Sequence, residues 1–142
     1  MVRTKEYLVS HGIRPSQQRM AVMSFLLNHP IHPTVDQIYS ALCDSMPTLS
    51  RTTVYNTLKL LVERGAVASL GIDRTSERFD GDTSLHAHFM CEQCGVIEDI
   101  RLEGTGECLR TMGPKGEIRS IQLLYKGLCP QCKQTEALQN NN

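Results

Sequence analysis

The 142-residue chain has no tryptophan, and aromatic residues make up only 5% of it. Aromatic side chains carry much of the buried area in small cores, so a fold this poor in them gains from an added staple such as a bound metal. Net charge is also missing, with 15 Lys and Arg set against 15 Asp and Glu. That balance at first argues against nucleic acid as a partner. No stretch approaches the roughly 18 apolar residues that span a bilayer. The opening MVRTKEYLVSHG offers no apolar run fit for a signal peptide. The expectation is a cytoplasmic protein without membrane contact.

Other totals are less sparse. A hydrophobic fraction of 40% permits a folded core, and six cysteines stand in this short chain. In the cytosol, paired cysteines more often hold metal than each other. The charge is also unevenly placed. Residues 1–80 carry 9 Lys and Arg against 7 Asp and Glu, whereas residues 81–142 carry 6 against 8. The excess of +2 in the first part is a slight electrostatic footprint for DNA.

The pattern along the chain predicts an α+β protein of two domains, 1–80 and 81–142. In the first, residues 4–11 read as a helix ended by Gly12. Ser16 caps a helix to Asn28 with Met20, Met23 and Leu27 on one face. Pro30 and Pro33 interrupt, and Thr34 with Gln37 forms a capping box ahead of Ile38, Tyr39 and Leu42. Ser50 caps a helix to Arg64 that stops at Gly65, with Val54, Leu58, Leu61 and Val62 as its apolar stripe. AVASL and SERFD read as strands around a turn from Gly71 to Ser76. Helices followed by a hairpin suggest a winged helix-turn-helix. In the second domain, LHAHFM, VIEDIRL and IRSIQLLY read as strands, a helix is possible around Glu107 to Met112, and the polar tail QTEALQNNN reads as frayed.

Two C-x-x-C units, Cys91/Cys94 and Cys129/Cys132, stand 34 residues apart. Each sets two thiolates on a tight turn, and two such turns complete a tetrahedron around zinc. A closed four-cysteine site leaves no open position for a substrate, so its role is structural. Cys43 and Cys108 stand alone and read as buried structural residues. A second constellation is built from nitrogen and oxygen. His86 and His88 share one face of a strand, Asp99 lies on the strand returning from the first knuckle, Asp80 ends the hairpin and His32 sits in a loop. Such a shell suits iron(II), manganese or zinc. A His-x-His pair also occurs for packing alone, and periodicity leaves both readings open.

The phrases GIRPSQQR, HPTVDQIY, SRTTVYNTLKLLVERG, SERFD, HAHFMCEQCG and CPQC, in that order, resemble the ferric uptake regulator family from about residue 3 to 133. The resemblance implies a winged-helix DNA-binding domain and a C-terminal α/β dimerisation domain with the four-cysteine Zn2+ site. It also implies a homodimer on an inverted-repeat operator in double-stranded DNA, with His32, Asp80, His86, His88 and Asp99 as ligands of a regulatory Fe2+ or Mn2+. The last of these positions is Glu in typical iron sensors and Asp in peroxide-responsive repressors. Here it is Asp99. Leu85 and Ala87 occupy positions where some relatives carry donors of a third site, which this chain lacks. In the peroxide-responsive branch, iron and hydrogen peroxide oxidise a ligand histidine, and the matching targets are His32 and His86. Helix 50–64 would enter the major groove with Arg51, Thr52, Tyr55, Asn56 and Lys59 exposed, while Arg14 and Arg19 would contact backbone or minor groove. This is protein modification without turnover or small-molecule substrate, hence not an enzyme. The rival within the family is a plain iron or manganese uptake regulator. More distant rivals are a metalloenzyme, for which no H-E-x-x-H or similar motif is present, and a zinc-ribbon interaction module, which gives the polar face of helix 50–64 no role.

Overall fold

Capped helix starts organise the first part of the chain. Ser16, in extended backbone, accepts the Arg19 amide and opens α2 (Gln17–Asn28). Thr34 and Gln37 exchange both bonds of a capping box ahead of α3 (Val35–Leu42). Ser50 accepts the Thr53 amide and opens α4 (Arg51–Glu63). Each side chain satisfies a backbone donor that the first helical turn leaves unpaired. Gly65 turns left-handed at φ +71° just past α4, a conformation glycine adopts without the steric cost of a Cβ. With α1 (Val2–Ser10) these are the helices of the first unit. The computed structural model describes residues 2–71, 77–104, 106–111 and 113–141. It divides between Thr83 and Ser84 into two units.

The apolar stripe of α4 does most of the packing in the first unit. Val54, Leu58 and Leu61 are fully buried against Leu8, Val22, Met23 and Ile38. Val62 is only half-buried, and Thr57 takes a buried place on the stripe instead. On α2 the inward residues are Val22, Met23 and Leu26; Leu27, expected inside, is exposed. One residue of helical phase, about 100°, makes that difference. β1 (Ala68–Leu70) and β2 (Arg78–Asp80) pair antiparallel, Ala68 opposite Asp80, as the wing of a winged helix-turn-helix. The connecting turn predicted at 71–76 lies, beyond Gly71, outside the described residues.

In the second unit β3 (His86–Cys91) is central. It pairs antiparallel with β4 (Ile97–Arg101) and parallel with β5 (Leu123–Gly127). α5 (Gly106–Thr111) lies in sequence between the outer strands; Met112, expected as its end, is outside the described residues. The third strand was expected over 118–125 but occupies 123–127, because pairing follows β3 from Ala87 opposite Leu123 to Cys91 opposite Gly127. The tail, expected to be frayed, is helical as far as Asn140: Cys129 caps α6 (Pro130–Asn140), with Pro130 in the first helical turn; Asn142 lies outside the described residues. Among the described residues of this unit, the buried apolar set is Ala87, Cys91 and Cys129. That is too little to hold a sheet alone. No helix among the described residues is long and apolar enough to cross a membrane.

Candidate metal centres and DNA-facing helix

The four paired cysteines converge. Their sulfurs all lie within 4.8 Å of one another, with Cys94 Sγ 3.8 Å from Cys129 Sγ. A disulfide needs about 2.05 Å. Thiolates about 2.3 Å from one tetrahedral ion stand about 3.8 Å apart. None of the six cysteines is in a disulfide. The knuckle after β3 is closed by Gly95, which turns at φ +76° and returns its amide to the Cys91 carbonyl at 2.9 Å. The second knuckle is a helix start, where Cys129 Sγ accepts the Cys132 amide at 3.5 Å. Cys91 and Cys129 are buried, Cys132 is half-buried and Cys94 is exposed.

The electrostatics of this cluster call for a cation. Backbone amides of Cys94 and Cys129 pull the Cys91 thiol down to about 6. Sharing with Cys129, burial and the other thiols push Cys132 up to about 12. For Cys94 the Val96 amide pulls down, but the bond with Cys91 together with burial and Cys129 outweighs it, and the thiol is raised. Several thiolates at this spacing repel one another unless a positive ion sits among them.

The nitrogen and oxygen donors form two sets, one in each unit. In the first unit, His32 Nε2 is 3.5 Å from Asp80 Oδ2, and both side chains are 4% exposed. Asp80 Oδ1 accepts the Asp82 amide at 2.9 Å. His32 has φ +52°, the one positive value outside glycine among the described residues. A left-handed backbone costs an L-residue about 1–2 kcal/mol, so its surroundings must hold it there. They do so from β2: Arg78 Nη1 donates to the His32 carbonyl at 3.2 Å, and the Phe79 amide donates to the Pro33 carbonyl at 3.0 Å.

In the second unit, strand register sets His88 opposite Asp99. His88 Nε2 is 3.2 Å and His86 Nε2 is 3.6 Å from Asp99 Oδ1, and the two imidazole Nε2 atoms are 3.1 Å apart. Donors about 2.1 Å from a common ion stand about 3.0–3.4 Å apart, so the spacing suits one. His86 Nδ1 meets the Ser84 carbonyl at 2.7 Å. A carbonyl only accepts, so Nδ1 carries the proton and Nε2 keeps its lone pair for a metal. Glu98, on the opposite strand parity, is exposed beside Phe89.

On α4, Arg51, Thr52, Tyr55, Asn56 and Lys59 are all exposed, opposite the buried stripe. Arg51 Nε donates to Asp36 Oδ1 at 2.8 Å, and its guanidinium lies 4.5 Å from the centre of the Tyr39 ring. Arg14 is exposed and Arg19 half-exposed, with Arg19 Nη1 bonded to the Arg14 carbonyl at 2.8 Å. Two expectations fail: Cys108 is exposed and Cys43 only half-buried, since Cys108 sits on the short α5 and Cys43 at the open end of α3. Arg78, Asp82 and Asp36, and the contact of Tyr39 with Arg51, carry no sequence motif that marks them as functional. The one available signal was parity, which sets Arg78 on the same strand face as Asp80.

The family model described as Ferric uptake regulator family matches residues 10–120. The chain is 38% identical over 133 residues to the Peroxide operon regulator of Bacillus subtilis (strain 168), covering 92% of each chain. Among solved structures, PerR from Streptococcus pyogenes, described as the structural basis for peroxide sensing and gene regulation, shares 32% identity. That likeness covers 92% of this chain and 90% of the other, with a TM-score of 0.51. The ferric uptake regulator of Pseudomonas aeruginosa with manganese superposes with a TM-score of 0.73 at 21% identity, over 92% of this chain and 99% of that one. The last likeness concerns the fold alone.

Proposed function

The chain belongs to the ferric uptake regulator family of metal-dependent repressors, and from that premise we propose that it represses transcription until hydrogen peroxide oxidises one of its own ligand histidines. The observation that carries this reading is the donor set around Asp99, a carboxylate with two imidazoles and no thiolate. Hard and borderline donors of this kind fit Fe2+ or Mn2+. Three donors in the second unit and the His32/Asp80 pair in the first are each too few to fill the shell of such an ion. Together they supply the set expected of one regulatory site, and an ion that takes all of them favours one relative pose of the units by its differential affinity.

Each residue has a definite task. The Ser84 carbonyl keeps His86 in the tautomer that presents Nε2, and the Asp82 amide steadies the Asp80 carboxylate. Fe2+ held by these residues would activate the O–O bond of peroxide; overall, the imidazole of His32 or His86 would give up two electrons and keep one oxygen atom while the other leaves as water. Loss of one donor removes the metal's preference for the DNA-competent pose. The chain consumes itself in this act, which is why we read it as a regulator and not an enzyme. Cys91, Cys94, Cys129 and Cys132 hold structural Zn2+.

The DNA partner is a duplex operator read by Arg51, Thr52, Tyr55, Asn56 and Lys59 from the major groove, with Arg14 and Arg19 on the backbone. An inverted repeat calls for a homodimer, and exposed Ile100, Leu124 and Tyr125 offer apolar surface in the second unit for it. Free thiols kept for metal and a DNA target fit a cytoplasmic site of action.

The test uses the zinc-loaded protein with Fe2+ or Mn2+ added. His32→Ala and Asp99→Ala are each expected to abolish metal-dependent operator binding while zinc content stays unchanged. Peroxide treatment of the iron form should add the mass of one oxygen atom to the peptide bearing His32 or His86 and release DNA; the manganese form should show neither. Metal-responsive binding in both variants would sink the ligand set. Intact peptides with peroxide-insensitive binding would leave a plain iron or manganese regulator.

A further inference from the structure

Three successive residues of β2 each fasten one part of the His32 turn. The Arg78 guanidinium donates to the His32 carbonyl at 3.2 Å. The Phe79 amide donates to the next carbonyl, Pro33, at 3.0 Å. Asp80 faces the His32 ring at 3.5 Å. The Phe79 bond comes from the main chain and survives substitution at that position. The bond from residue 78 depends on its side chain, and it falls on the one non-glycine residue with positive φ among those described.

We propose that Arg78 is the positioning residue for His32, holding its left-handed backbone so that the imidazole is aimed before any metal arrives. The proposal rests on the assignment of His32 as a regulatory ligand. Arg78 contributes no donor atom to an ion; a guanidinium is permanently protonated. It acts on the loop. A charge-assisted bond to a carbonyl is stronger than a neutral one, and the guanidinium's length lets a residue on the strand reach backbone on the facing loop. Parity directs Arg78 and Asp80 to the same side of β2, so one strand carries a donor and the support for its neighbour. A donor that is already posed raises the binding-competent fraction of the protein, and apparent affinity scales with that fraction.

The test compares wild type, Arg78→Met, Arg78→Lys and His32→Ala as full-length zinc-loaded chains, titrated with Mn2+ alone. Arg78→Met keeps the bulk and loses the donors, and it is expected to weaken Mn2+ binding about tenfold, as loss of one charged hydrogen bond would. Arg78→Lys retains a donor and should recover most of that affinity. Hydrogen exchange in the metal-free protein should quicken at the amides of Ile31, His32 and Thr34 in Arg78→Met, with zinc content and melting temperature near wild type. Wild-type Mn2+ affinity in Arg78→Met, alongside a loss in His32→Ala, overturns the positioning role and leaves the ligand set standing. Wild-type affinity in His32→Ala overturns the ligand assignment itself. Should Arg78→Met fail to fold, Arg78→Lys decides: affinity as poor as in His32→Ala rejects the role, and near-wild-type affinity supports it.

Discussion

Cys91 and Cys132 sit in one cluster with opposite protonation preferences, the first drawn down to about 6 and the second pushed up to about 12. At pH 7 without metal, Cys91 is a thiolate while Cys132 and the raised Cys94 are thiols. Zinc binds only the deprotonated forms. Loading therefore releases at least the protons of Cys94 and Cys132, and affinity must strengthen as pH rises and fall as it drops. Calorimetry of Zn2+ binding near pH 7 in two buffers of different ionisation enthalpy should report this release; a heat independent of buffer would contradict it. Below about pH 6 the Cys91 thiolate is lost as well, and zinc should dissociate more steeply. At this same scale the sequence announced the cysteines by spacing alone, whereas nothing local announced the Ser84 carbonyl behind His86. Second partners of that kind come from backbone geometry, which a one-dimensional pattern does not carry.

Among the elements, α4 has to pack the first unit and present its other face outward. Leu58 is fully buried on the packing face, so Leu58→Ala should destabilise the protein by about 2–5 kcal/mol. Thr34→Ala, which removes the capping box of α3, should cost about 1 kcal/mol. Denaturant unfolding of both variants checks the order, and a larger loss from Thr34→Ala would overturn it. These elements were legible because caps are local: Ser16, Thr34 and Ser50 all work as their sequence contexts indicate. α6 was not legible, because none of its residues is buried and no apolar period marks it. The signal available was Pro130 directly after a capping residue. β5 was misplaced because its ends are set by its pairing with β3 and not by Ile118 and Ile121, the β-branched residues that precede it. The nitrogen and oxygen set was legible in part: strand parity joined His86 to His88, but a packing role stayed open until family likeness, because His32, Asp80 and Asp99 come from other segments of the chain.

The molecule as a whole divides its stability unevenly. The first unit has an apolar core built from its helices and wing, but among the described residues of the second the buried apolar side chains are Ala87, Cys91 and Cys129, beside the buried His86 and His88. Zinc binding there is folding free energy. Removal of zinc by a strong chelator should raise amide hydrogen exchange throughout β3, β4, β5 and α6, with α2 and α4 still protected. Equal protection in both units after chelation would refute this division. Cys129 adds a consequence of its own. Its sulfur belongs to the four-thiol cluster and also accepts the amide of Cys132 at the start of α6. Winding of that terminal coil and occupancy of the cluster are thus two readings of one atom's state. Far-UV ellipticity can serve as a label-free gauge of how much of a preparation carries its zinc.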